Sequence, residues 1–262
     1  MQSKTLSHQI STFSSNFGAT CRELAPLISY PREITDRELM ERLKELEILN
    51  VSSILPGGRV QIGKFNILGK GSVGLVVRVE NKSNNKPCAL KIRRSDANRS
   101  SMEREAKLQK AANSIGVGPT IIGYSGNFIL MELIDGSSIG EWINHQGITR
   151  DQIRKVVINT LEQCYKLDRA NIDHGELSHI TRHVLVSENG NSHIIDFDTS
   201  STHRKTSNVT AAAHSLLLSG LVSKRIIERI QIAKREKIIE LLRVYKLNQT
   251  RTTFNKILQS FD

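Results

Sequence analysis

Gly69-Lys70-Gly71-Ser72-Val73-Gly74-Leu75-Val76, followed at residues 89–92 by Ala-Leu-Lys-Ile, is the stretch that decides the fold. Three glycines in six residues let a chain lie flat with its backbone N–H groups turned toward an anion. The same spacing in a dinucleotide fold must open a helix. Here a β-rich run, Leu75 to Val79, follows, so the glycines belong to a phosphate-covering hairpin between strands. Lys91 lies in an apolar strand 17 residues after Gly74, and a charge there needs a partner. Glu105, on the next helix, is the expected one. The alternative is an edge lysine whose stem runs out to water.

Working outward, Phe65-Asn66-Ile67-Leu68, Leu75 to Val79 and Cys88 to Ile92 read as strands, with Asn84-Asn85-Lys86-Pro87 turning between the last two. Ser100-Ser101-Met102-Glu103 is a capping box that predicts a helix from about Ser100 to a stop at Gly116. Phe128 to Met131 is a further strand, and the remainder is mostly helical. Upstream, Thr35-Asp36-Arg37-Glu38 is another capping box, and Leu39, Leu43, Leu46 and Leu49 recur at helical spacing. Pro56-Gly57-Gly58 breaks the chain before a strand at Arg59 to Ile62. Two readings of this extension stand open: a winged-helix-like module, or a helical brace on the next domain. The expected division is a helical extension over 1–62, a β-rich lobe over 63–134 and a helical lobe over 135–262.

Two acids are the second constellation. Asp173-His174-Gly175-Glu176-Leu177 follows a helix ending near Ala170, and Ile194-Ile195-Asp196-Phe197-Asp198 ends a strand. Between them, two apolar runs flank Glu188-Asn189-Gly190-Asn191-Ser192, a hairpin signal. That hairpin returns Asp196 beside Glu176, a pair suited to metal and base chemistry near phosphates.

The chain has 262 residues, 38% hydrophobic and 24% charged, enough to bury a core. No apolar run is long enough to span a membrane, so no membrane partner is expected. The first residues lack the apolar centre of a secretory signal. Cys21, Cys88 and Cys164 stand far apart, which fits a reducing, cytoplasmic compartment and gives no Cys-ligated zinc site. The net charge is +11, of which residues 221–262 carry +6 (10 Lys/Arg, 4 Asp/Glu). Such a basic tail suits RNA or a ribonucleoprotein, or is a solvated helical face.

The order of glycine loop, Ala89-Leu90-Lys91, helix Glu105, Leu130-Met131-Glu132, His174-Gly175-Glu176 and Asp196-Phe197-Asp198 resembles the protein-kinase fold. It is similar to the compact atypical kinases of the RIO type and to the small kinase of the archaeal KEOPS complex. It is closer still to a group of archaeal predicted Ser/Thr protein kinases, through Lys91 to Arg94, Asn98-Arg99, Glu103 to Ala106, Gly116 to Pro119, Asp173 to Leu177 and Arg204 to Thr210. The resemblance implies an α+β, two-lobed kinase-like fold with a small β-rich N-lobe, a reduced helical C-lobe and the N-terminal extension.

It also implies ATP and Mg²⁺ (or Mn²⁺) as cofactors. Gly69, Lys70, Gly71, Ser72 and Gly74 would cover the triphosphate, and Lys91, aimed by Glu105, would hold it. Val76, Ala89 and Met131 would line the adenine pocket, and Glu132, Leu133 and Ile134 would form the hinge. Asp196 would bind the metal, Glu176 would accept the substrate hydroxyl proton, and His174 would be structural. Three departures stand out. Glu176 replaces the usual Asp. Thr181 stands five residues on, where Asn holds a second metal, which leaves His183 as the positional stand-in. Asp198 replaces the Gly of Asp-Phe-Gly. The functions implied are an atypical Ser/Thr protein kinase acting on an unidentified protein, or an ATPase on a ribonucleoprotein. The alternatives are a nucleotide-gated RNA- or ribosome-binding module and a small-molecule hydroxyl kinase.

Overall fold

The computed structural model describes residues 21–261, and it divides into two compact units. The first comprises the described residues up to Ala106 together with Thr120–Leu133; the second comprises Lys107–Pro119 and residues from Ile134 on.

The first unit is built on one antiparallel sheet. Its strands are β1 (Val51–Leu55), β4 (Gly69–Lys70), β5 (Gly74–Asn81), β6 (Lys86–Arg93), β7 (Ile121–Tyr124) and β8 (Phe128–Glu132), in the order β1-β5-β6-β8-β7 with β4 on β5. A hairpin of β2 (Val60–Ile62) and β3 (Phe65–Ile67) stands beside it. Side chains alternate between sheet faces. Leu75, Val77 and Val79 of β5, Cys88, Leu90 and Ile92 of β6, and Phe128 and Leu130 of β8 therefore share one face. That face forms a single core with Leu24, Leu27 and Ile28 of α1 (Cys21–Ile28) and Met40, Leu43 and Leu46 of α2 (Asp36–Ile48). The N-terminal helices thus brace the sheet and share its core. β1, a strand the sequence reading did not assign, adds the extension to the sheet edge through β5. Thr35 caps α2, its hydroxyl accepting the Glu38 N–H.

Helix α3 (Glu103–Asn113) begins three residues later than the capping box suggests. The buried Met102 is the reason: its N–H donates to the Gly126 carbonyl at 2.9 Å, so it anchors to the β7–β8 turn and the helix opens after it.

The second unit holds a core around α5 (Arg150–Arg169), whose Val156, Val157, Leu161, Cys164 and Leu167 are fully buried. Packed in this unit are α4 (Ile139–Trp142), α6 (Ile180–His183), α7 (Asn208–Ala213), α8 (Leu221–Arg229), α9 (Arg235–Leu247) and α10 (Arg251–Leu258). Strands β9 (Gly136–Ser138), β10 (Val184–Ser187) and β11 (Ser192–Ile194) make a small sheet in which β10 and β11 are the expected hairpin. The basic segment from residue 221 contributes Val222, Ile226, Ile238, Leu242, Tyr245, Phe254 and Ile257 to this core. Its surplus charge lies on the solvent side of packed helices. No helix among the described residues is long and apolar enough to cross a membrane.

Candidate active site

The glycine stretch forms a hairpin. Gly69 and Lys70 pair with Val76 and Leu75, and the Gly71 N–H donates to the Gly74 carbonyl at 2.8 Å. Ser72 is exposed at the tip. A side chain is excluded at Gly74, because a Cβ there would sit 2.9 Å from the Ile92 carbonyl oxygen and 3.3 Å from Lys91 Cγ. The glycine lets β5 press onto β6 beside the lysine.

Cross-strand register settles what shares the other sheet face. Val76 lies opposite Lys91, and Lys91 and Ala89 lie opposite Ile129 and Met131. Directly opposed residues point the same way. Val76, Ala89, Lys91 and Met131 therefore form one patch on the face that α1 and α2 leave alone. Lys91 Nζ donates to Glu105 Oε1 at 2.6 Å, with both side chains buried (9% and 1% exposed). Arg99 Nη1 adds a second cation 3.7 Å from Glu105 Oε2, a partner the sequence did not single out. At the end of β8, Glu132 is held to Thr120 twice. Its N–H donates to the Thr120 carbonyl at 2.8 Å, and its carboxylate accepts the Thr120 N–H at 3.1 Å. Leu133 ends the first unit and Ile134 begins the second, in a stretch without regular secondary structure.

In the second unit, Glu176, His183 and Asp196 come together, with a ligand atom of each within 4.8 Å of the others. His183 Nε2 lies 3.5 Å from Glu176 Oε2, and Nδ1 lies 4.0 Å from Asp196 Oδ2. The His183 side chain is 7% exposed, and its Nδ1 has no hydrogen-bond partner. Two carboxylates beside a buried imidazole nitrogen are a donor set that fits one divalent cation. Imidazole suits Mn²⁺ better than Mg²⁺, which prefers oxygen ligands.

Local structure holds these groups. Asp196 adopts φ +70°, a left-handed conformation costly for most residues and characteristic of functional positions. The His183 carbonyl accepts the Ile195 N–H at 2.9 Å, and His174 Nε2 bonds the Ile195 carbonyl at 3.0 Å. His174 is fully buried, and burial pulls its imidazole down to about 4. It is therefore neutral at pH 7, with Nε2–H as the donor. Gly175 has φ +91°, and a Cβ there would meet Arg204 Nη2 at 2.5 Å and Thr199 Oγ1 at 3.1 Å. Asp173 is tied to Arg204 Nε at 2.9 Å and exchanges backbone hydrogen bonds with Ser201.

Sequence reasoning missed one set of supports. Asn208, first residue of α7, accepts the His174 N–H with Oδ1 at 2.9 Å and donates Nδ2 to the Ile172 carbonyl at 2.7 Å. The Asp168 carboxylate in turn accepts from Asn208 N and Nδ2, from Val209 N and from the Tyr245 hydroxyl. Its partners lie 40 to 77 residues away, and only an Asn opening an apolar helix hinted at the role.

Fold and residues together define a protein kinase domain. The chain matches that family over residues 63–219, more than half its length, and it belongs to the family. It is also 35% identical over 102 residues to an uncharacterized protein of Methanocaldococcus jannaschii, covering 39% of this chain and 84% of that protein. The chemistry of the family is phosphoryl transfer.

Proposed function

We propose that the chain is an ATP- and divalent-metal-dependent phosphotransferase of the atypical Ser/Thr class, of the RIO and KEOPS-kinase kind. The observation that carries this reading is the buried Lys91–Glu105 pair, set beside the glycine hairpin on the sheet face of Val76, Ala89 and Met131. A lysine locked by a buried carboxylate is a fixed positive charge suited to the α- and β-phosphates. The hairpin N–H groups cover the phosphates, and the Val76–Ala89–Met131 patch takes the adenine. Glu132 can offer adenine its carbonyl, since its N–H is already used by Thr120.

Asp196 and His183, whose Nδ1 has no hydrogen-bond partner, would hold a divalent cation. Such a cation would supply positive charge against the charge that develops on the transferred phosphoryl group. The bond from the γ-phosphorus to the bridging oxygen breaks, a bond to the acceptor oxygen forms, and the acceptor proton passes to Glu176. Glu176 reaches further than an Asp would, which suits an acceptor seated farther out, water included. The output is then phosphorylated Ser or Thr, or ATP hydrolysis on a ribonucleoprotein. ATP turnover with Mg²⁺ and with Mn²⁺ tests this against Lys91→Ala and Asp196→Asn. Equal rates in all three proteins refute catalysis.

The binding-module reading is favoured by the +6 charge of residues 221–262. It requires nucleotide binding without turnover and an RNA affinity that falls steeply with salt.

A further inference from the structure

A loop with three glycines in six residues loses more conformational entropy on ordering than a loop of ordinary residues, so its shape has to be held from outside. In this chain the holding group is Arg94. Its Nη1 donates to the Gly71 carbonyl at 2.9 Å, and its backbone N–H donates to the Val73 carbonyl at 2.9 Å. The guanidinium is itself fixed twice. Asp96 accepts from Nε and Nη2, both at 2.8 Å, in a bidentate fork, and the Tyr30 ring lies 5.4 Å from Arg94 Cζ. The carboxylate holds the guanidinium above its usual range, and the guanidinium holds the Asp96 carboxyl below its own. Tyr30 also carries Lys70 Nζ, 4.9 Å from its ring centroid, so a loop residue leans on the same aromatic. The Tyr30 carbonyl accepts the Ser95 N–H at 2.8 Å, and the Ser95 hydroxyl is bonded to the Arg32 backbone. Tyr30 lies between α1 and α2, outside the sheet.

We infer that Arg94, clamped between Asp96 and Tyr30, is a positioning residue that holds the glycine hairpin in its phosphate-covering shape, and that the N-terminal extension supplies Tyr30 to complete the clamp. The physical reason lies in the peptide plane. In a trans peptide, C=O and the following N–H point in opposite directions. Pinning the Gly71 carbonyl on Arg94 therefore aims the Ser72 N–H away from Arg94, where it is free to donate to a phosphate. Without the clamp that peptide can flip, and the anion loses a donor. The assignment rests on the reading of this loop as the cover of ATP phosphates.

The test compares ATP with adenosine on the full chain, because adenosine has no phosphate for the loop to grip. Arg94→Ala is expected to weaken ATP about tenfold, the scale of one charge-assisted hydrogen bond together with the loop geometry it holds. Tyr30→Ala is expected to weaken it about fivefold, the scale of one cation–π interaction. Adenosine affinity stays unchanged in both. Tyr30→Phe restores wild-type affinity, and the loss appears in KM for ATP with kcat retained. Equal losses for ATP and adenosine, or none for ATP, overturn the inference. Amide exchange at Gly71 and at position 94, whose N–H groups donate to the Gly74 and Val73 carbonyls, gives an independent reading in the nucleotide-free chain: it must speed up in Tyr30→Ala and Arg94→Ala, and unchanged exchange overturns the clamp. Should wild type bind no ATP, the functional proposal fails by itself, and the exchange data still decide the clamp.

Discussion

Removing either member of the Lys91–Glu105 pair should not have equal consequences. Glu105 is 1% exposed and faces two cations, Lys91 at 2.6 Å and Arg99 at 3.7 Å. Glu105→Gln takes from the buried ammonium the carboxylate that accepts from it at 2.6 Å, and breaking a buried pair this way costs about 3–5 kcal/mol. Lys91→Met leaves the carboxylate with Arg99, which is 26% exposed and can close on it. Its expected cost is about 1–2 kcal/mol, the scale of one unmade buried hydrogen bond. The double variant Lys91→Met/Glu105→Gln removes the ammonium together with its carboxylate and should fall within about 1 kcal/mol of Lys91→Met alone, so the double-mutant cycle returns a coupling of about 3 kcal/mol. The one tryptophan, Trp142, belongs to the second unit, so its fluorescence is a poor reporter. Native-state amide exchange in β5, β6 and β8 reads the right element. ATP turnover is lost in all three variants whatever their stability. If Lys91→Met proves the costlier single change, or the double variant is as unstable as the two singles summed, the charge argument is wrong.

Further outcomes follow from other parts of the chain. Asp168→Ala strands the donors of Asn208, Val209 and Tyr245 in the second unit and should cost about 3–5 kcal/mol in chemical denaturation, against about 1 kcal/mol for Tyr245→Phe. Gly74→Ala forces a Cβ against the Ile92 carbonyl; nucleotide affinity should drop severalfold, which calorimetry with an ATP analogue measures. His183→Asn exchanges an imidazole for an oxygen donor, so Mn²⁺ should bind about tenfold more weakly while Mg²⁺ is held at least as well. Mn²⁺ spin resonance of the protein checks this, and an unchanged Mn²⁺ affinity takes His183 out of the metal site.

What the sequence made legible was whatever its residues encode locally. Three glycines followed by a β-rich run point to a tight hairpin, a lysine in an apolar strand calls for a carboxylate or a path to water, and Asn-Gly between β-branched runs turns the chain. These patterns pointed to the β-rich first unit, the hairpin β10–β11 and the acids at its two ends. Distant satisfaction was not legible. Arg42, on the α2 face read as leucine-lined, is fully buried because the carbonyls of Ile28 and Arg93 and the Glu38 carboxylate happen to converge on it. Burial pulls its pKa down, yet nothing near it in sequence announces three acceptors. β1 was hidden for a related reason: Val51 to Leu55 carries two serines, and Ser52 is tolerated there because its hydroxyl finds the Glu80 carbonyl and carboxylate on β5.

The same division explains why the extension could not be placed from sequence. Its leucines fit both a winged-helix-like module and a brace, since amphipathic spacing says that a face is buried and not against what. The deciding interactions are non-local. Glu45 of α2 accepts from Ser125 Oγ, Asn127 N and Asn127 Nδ2 at 2.5–2.9 Å, fixing the β7–β8 turn. That turn, through the Gly126 carbonyl, holds Met102 and so sets where α3 begins. α3 carries Glu105, and Glu105 fixes Lys91. A change at Glu45 should therefore loosen the lysine at the far end of this chain of hydrogen bonds: Glu45→Gln removes the charge behind them and is expected to speed amide exchange at Met102 and Ala106 before it affects α1. Faster exchange in α1 with α3 unmoved would show that α2 supports only the helices beside it, and that Lys91 is positioned without the extension.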